Sequence, residues 1–416
     1  MPRKKKSDVD AAEVRFLDDV RVLEIASLSP TQVAMHLADL GAEVIKIEPP
    51  KRGDATRIIG TKPGFNDAGM HRRWNRGKKS VAVDTRTPEG AALVRQLVPL
   101  VDIVVEGFRP GTLAKMGLSF PEMVELNPDI VVVAMSGFGQ TGPYRDLPSH
   151  GIGFDAVAGL SGIEDDEDGR PRVPTNHVYH GALMTPLLAA TSAIAALSWS
   201  RRTGKPVYLD LAQADVAAYA NYNVEDAVAE KRSAEAGEVP LPVVDPDAPP
   251  APRSTMQAYR TRDGKVLMIM TLERKFFVRL AETVGRDDLL ATIPEDQYMV
   301  RGNKQIDDAL LEIMATKDLA EWMEIFSTAD VPVVPVHQSS DVADDPHLQT
   351  RFRWLSADQG TVTMKSPVIS EPVLADPIPA QPIGQHTAEV LADIGVDADE
   401  LARLAEAGII RLADQS

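Results

Sequence analysis

The chain has 416 residues, 44% hydrophobic and 25% charged, with a formal net charge of −17. That is enough apolar material for more than one core, and the acidic balance excludes nucleic acid and anionic membrane surfaces, which call for a basic face. The absence of cysteine excludes disulfides, thiolate metal sites and cysteine nucleophiles, and suits a reducing cytoplasm.

The opening MPRKKKSDVD is basic without an apolar run, so residues 1–13 read as a solvated, disordered tail rather than a secretory signal. In residues 21–50, RVLEIA and EVIKIEPP have strand composition and flank a helix around TQVAMHLADL. Ser29 is the expected N-cap, Pro30 the first helical residue and Gly41 the stop, and Val33, Leu37 and Leu40 form one apolar stripe. Strand–helix–strand of this length implies a parallel pair with a right-handed crossover.

The theme repeats in SVAVD (80–84), a helix over 88–100, DIVVEGF (102–108), a short helix at 120–126 and DIVVVAM. Such alternation predicts a doubly wound parallel sheet. Between the first two units Arg72, Arg73, Arg76, Lys78 and Lys79 crowd around Trp74. In so acidic a chain this cluster suits a phosphate-bearing ligand, or equally a solvated loop that balances nearby carboxylates.

The strand at 130–133 runs into Gly137-Phe138-Gly139-Gln140-Thr141-Gly142, where glycines let backbone approach a ligand closely. The GxGxxG spacing of a dinucleotide site is present, but Pro143 and Pro148 prevent a helix from opening directly behind it. The loop therefore reads as an active-site wall for another ligand. EDDEDG (164–169) is an exposed acidic turn, and the alanine-rich stretch 182–200, with Pro186 and several Ser/Thr, is a closely packed helix rather than a membrane span.

The domain reading is a large domain over 14–223, an acidic, proline-rich, aperiodic linker over 224–252, a small domain over 253–340, and a return segment over 341–416 with two short helices around Gly395. The small domain contains a hairpin around Asp263-Gly264. The eight histidines are scattered, without metal-ligand spacing, and no metal is expected.

RVLEIA…HLADLGAEVIKIEPPKRGD, KKSVAVDTRTPEG, DIVVEGFRPGTLAKMGL, NPDIVVVAMSGFGQTGPYRD, RRTGKPVYLDLAQAD and PIGQHTAEVLADIG follow one another in order. Together they resemble the family III CoA-transferases, which include formyl-CoA and carnitine CoA-transferases and α-methylacyl-CoA racemase. The resemblance implies a Rossmann-like large domain with a smaller inserted α+β domain, two chains interlocked as a dimer, and coenzyme A or its thioester as ligand. It assigns CoA contacts to Arg76, Lys78 and Lys115, and a place in the thioester pocket to Gly137 and Gly139.

Transferases that this chain resembles use an aspartate that becomes covalently linked to the acyl group and then to CoA. The matching position here is Ala182, and no Asp or Glu occurs between Gly169 and Ser200. The racemase pair is also incomplete, since Phe154 stands at its histidine. His177 and His180, just before the alanine-rich helix, are the replacement acid–base candidates, with His150 behind them. Asp155 reads as a structural carboxylate. Three activities follow as alternatives: transfer of CoA between an acyl-CoA and a carboxylate acceptor, isomerisation or racemisation by histidine, or a silent subunit in a homodimer or in a heterodimer with an active paralogue.

Overall fold

Six runs rich in β-branched residues, most of them buried along nearly their whole length, suit a parallel sheet covered on both sides. They form β1 (Arg21–Ile25), β2 (Glu43–Glu48), β3 (Lys78–Val83), β4 (Ile103–Glu106), β5 (Val131–Ser136) and β6 (Val207–Ala212). The computed structural model describes residues 13–60, 68–237, 254–300, 302–351, 354–356 and 362–413. The strands lie side by side in the order β3-β2-β1-β4-β5-β6, all parallel. The expected terminal tail lies almost wholly outside the described residues.

Alternate residues of each strand point to opposite faces. Leu23, Ile45, Val104 and Val132 pack with α3 (Pro88–Leu97), with Met123 of α4 (Phe120–Leu126), and with Val390 and Leu404 from the C-terminal helices. Val22, Val44, Val105 and Val133 face α1 (Thr31–Asp39) and α6 (His180–Thr203). Between α1 and α3 lies α2 (Gly69–Trp74), and between α4 and α6 lies α5 (Ile152–Val157).

The chain divides into two units, Met1–Val239 with Arg351–Ser416, and Pro240–Thr350. The second is built on an antiparallel sheet of β7 (Met256–Arg260), β8 (Val266–Met270) and β9 (Val333–Pro335), with β8 in the middle. Tyr259, Leu267, Phe277, Leu310, Trp322 and Phe326 fill its core. The final strand, β10 (Ile410–Arg411), pairs antiparallel with β3 and closes that edge of the large sheet.

Three expectations need correction. Pro30, not Ser29, is the N-cap of α1, and no side chain caps it; backbone turns such as Gln32 N–H to Ser29 O (3.1 Å) satisfy the first donors instead. The stretch expected to be an aperiodic linker begins with a helix, Val224–Glu235, which buries no residue. It has no apolar stripe to betray it, but its Ala, Glu and Lys favour the helix and Glu225 and Asp226 suit its first turn. The rest of that linker falls mostly outside the described residues. The second unit also extends to Thr350, ten residues past the expected boundary.

Candidate functional site

β1 and β4 are neighbours from which the chain winds outward in opposite directions, and ligands of such sheets sit beyond the carboxyl ends of the strands at that point. A cavity of about 730 Å³ opens there. Its wall takes Ser27–Pro30 from the loop after β1 and Gly107–Pro110 from the loop after β4. Met135–Phe138 at the end of β5 and Ala182 and Leu183 of α6 complete it.

The basic segment contributes its other face. Met70 and Trp74, four residues apart on α2, line the cavity together. The charges do not join them. Arg76 is buried and forms a two-point pair with Asp39 (Nε–Oδ1 2.7 Å, Nη2–Oδ2 2.5 Å). Lys78 is buried too, 2.6 Å from Glu24 and 2.7 Å from the Thr31 carbonyl. Burial pushes the Lys78 ammonium down to about 8 against the pull of Glu24. Burial acts the same way on Lys46, but Glu24 and Asp54 outweigh it and hold its pKa above the ordinary value. Arg76 and Lys78 are thus internal counter-ions of the fold, contrary to the CoA-contact expectation. Lys115 is exposed on the turn Leu113–Met116 and is not part of the cavity wall.

Of the glycines, Gly137 lines the cavity and its missing side chain makes room for Phe154: an added Cβ would lie 2.5 Å from Phe154 Cε1. Gly139 turns the loop with φ +82° beside Asp210 and is not in the wall. Asp210 holds the turn by accepting the Gln140 N–H at 3.0 Å.

His177 and His180 lie outside the cavity wall as well. Both are gathered around Asp155, which is fully buried. Its Oδ2 meets His177 Nε2 at 2.8 Å and accepts the His180 N–H at 2.9 Å, and its Oδ1 accepts the Gly181 N–H at 2.8 Å. The cluster fastens the N-terminus of α6, and with it Ala182, to α5. These three side chains bring donor atoms within 4.8 Å of one another, so the expectation of no metal draws no support from the spacing. His150, ranked behind the other two, does line the cavity, and so does Gln213, which accepts the Ser29 hydroxyl at 2.9 Å.

A second cavity of about 290 Å³ shares Arg109 with the first and holds Glu106, Gln140 and Tyr208 among apolar walls. Burial pushes the Glu106 carboxyl up to about 7, opposed by the Phe108 N–H and aided by Asp210. Burial also raises Tyr208 to about 12. Nothing in the sequence reading pointed to Glu106, whose strand position suggested only core.

A parallel sheet with a cavity at the point where its winding reverses defines an α/β ligand-binding protein, and comparison says which kind. The chain matches CoA-transferase family III over residues 17–387 and belongs to that family. It is 33% identical to the succinyl-CoA–D-citramalate CoA-transferase of Chloroflexus aurantiacus, over 94% of this chain and 97% of that one. Identity is 28% to the beta subunit of succinyl-CoA–L-malate CoA-transferase from the same organism, over 92% and 95%. Among solved structures it is similar to a CAIB/BAIF family protein from Brucella suis, with 26% identity, 90% and 98% coverage and a TM-score of 0.70.

Proposed function

We propose that this chain binds an acyl-CoA thioester in the large cavity and passes CoA to a carboxylate acceptor without a covalent link to the protein. The observation that supports this is the wall itself: among the described residues it contains Arg109, Arg145 and His150 but no aspartate or glutamate. By resemblance, Ala182 stands at the transferases' nucleophile, and its carbonyl is held by Gln32 Nε2 at 3.1 Å. An alanine methyl cannot attack a thioester. In our reading the acceptor carboxylate takes over: its oxygen adds to the thioester carbonyl, the C–S bond breaks, and CoA leaves as thiolate. The thiolate then adds to the acceptor's own carbonyl carbon in the mixed anhydride, releasing the donor acid as carboxylate. No net proton or electron is required.

A second reading is favoured by one surface. Leu183, Met184, Leu187, Leu188 and Trp199 leave an apolar face of α6 exposed, with Tyr219 and Tyr222 nearby in sequence. α6 is long and apolar enough to cross a membrane by composition, yet its alanine face packs on the sheet. A covering second subunit suits it, and a relative named as a beta subunit makes an active paralogue a fitting partner. In that case this chain is a dimer subunit whose partner does the chemistry.

One experiment separates these. The purified protein is incubated with an acyl-CoA and acceptor, initial rates are measured against both substrates, and the mixture is trapped with hydroxylamine or borohydride before peptide mapping. Intersecting rate lines without a labelled peptide support direct transfer. Parallel lines with a modified Asp or Glu defeat it, and no turnover until a paralogue is added supports the subunit reading.

A further inference from the structure

We propose that Arg109 and Arg145 form a carboxylate-binding rim that selects acyl groups and acceptors carrying a second carboxylate. The inference rests on the acyl-CoA reading above and adds what the acyl chain must bear.

Most arginines in this chain that face a neighbour meet a carboxylate: Arg21 with Glu43, Arg57 with Glu48, Arg76 with Asp39, Arg201 with Asp102. Arg109 and Arg145 do not. Both line the large cavity, and among the described residues no carboxylate lies within ion-pair distance of either guanidinium. They are also brought to one place. Arg145 Nη2 lies 3.8 Å from where a Cβ on Gly111 would be, over the turn that also carries Arg109. Two guanidiniums that line one cavity without a carboxylate to pair with leave it open to an anion. In a chain of net charge −17, a cavity wall whose described residues include two arginines and no acid is a local reversal of sign.

The chemistry of the wall narrows the anion. Leu28, Pro30, Trp74, Phe108, Phe138 and Phe154 supply an apolar surface for methylene groups. Guanidinium forks match a planar carboxylate through paired N–H donors. A short chain with an acid at its far end meets both requirements, whereas a monocarboxylic acyl group leaves the arginines unanswered. Both side chains are exposed to solvent, so a free diacid can reach them as well.

The test measures binding by calorimetry for succinyl-CoA, butyryl-CoA, CoA alone, and free succinate and butyrate. Wild type, Arg145→Gln and Arg109→Gln are compared after thermal melts confirm that they are folded. The expected result is that wild type prefers succinyl-CoA to butyryl-CoA by about tenfold or more. Arg145→Gln should lose that preference and keep its affinity for CoA. Equal affinity for the two thioesters in wild type overturns the proposal. So does an equal loss for CoA and both thioesters in Arg145→Gln, because the arginines then serve the CoA phosphates. If no CoA compound binds but free succinate does, and only with Arg145 present, the rim stands and the acyl-CoA reading falls.

Discussion

Asp155 Oδ1 accepts the Gly181 N–H at 2.8 Å, and the same carboxylate reaches His177 through its other oxygen. One fully buried side chain thereby ties α5, the 177–180 segment and the first turn of α6 together, directly ahead of Ala182. Truncating it leaves two helix-start donors and an imidazole without their acceptor. Asp155→Ala should cost about 2–4 kcal/mol, read by urea denaturation. Asp155→Asn, which retains one acceptor, should cost less. A loss below about 0.5 kcal/mol in the alanine variant would mean that the three contacts are replaced by water.

Gly137 and Phe154 test the cavity wall. Gly137→Ala puts a methyl group into the Phe154 ring and should cost about 1–3 kcal/mol, the usual penalty of overpacking. Phe154→Leu in the same chain should recover part of that loss, so the two changes will not add. A double-mutant cycle with zero coupling would contradict the contact.

Glu106 gives the stability curve a slope. Its carboxyl titrates near 7 in the folded chain against an ordinary value of 4.5, so between those pH values the folded state holds more proton than the unfolded state. Stability therefore falls as pH rises from 4.5 through 7, by up to about 3 kcal/mol. Glu106→Gln, which keeps an acceptor for the Phe108 N–H, should flatten this part of the curve and be the more stable form above pH 8. Chemical denaturation of both proteins from pH 4.5 to 8.5 checks it, and parallel curves would refute it.

Arg76 and Lys115 should part company. Arg76→Met strands Asp39 in the interior, and breaking a buried pair from one side costs about 3–5 kcal/mol. Lys115→Met changes an exposed turn and should stay within about 0.5 kcal/mol. Equal and small losses in the two variants would show that Arg76 is not the counter-ion its geometry makes it.

That contrast marks how far sequence alone reached. The sheet strands were readable because burial on both faces demands runs such as Ile130–Val133, and the order of units followed from their alternation. The fate of a charge was not. Arg76 sees Asp39 and Lys78 sees Glu24 only after the strands assemble, and a cluster of bases looks the same whether it faces a ligand or an internal acid. A usable signal did exist: Met70 and Trp74, one helical turn apart, marked the apolar face of that basic helix and hence the side turned to the cavity. The histidines misled for a related reason. Proximity in sequence to position 182 put His177 beside the site, but the backbone turns its ring toward Asp155, while His150, farther from 182 in sequence, faces the cavity.

The last strand has a bearing on how the protein is made. β3 acquires its outer neighbour from Ile410 and Arg411, and the Thr387 hydroxyl accepts the Ala82 N–H across 305 residues. At roughly 5–20 residues per second, that stretch takes on the order of 15–60 s to leave the ribosome. Throughout that interval β3 presents an open edge, the feature through which nascent chains pair wrongly with one another. The second unit, whose sheet strands lie within 256–335, has all its partners well before then. During synthesis the second unit can finish first, and the large sheet waits for Ile410 and Arg411.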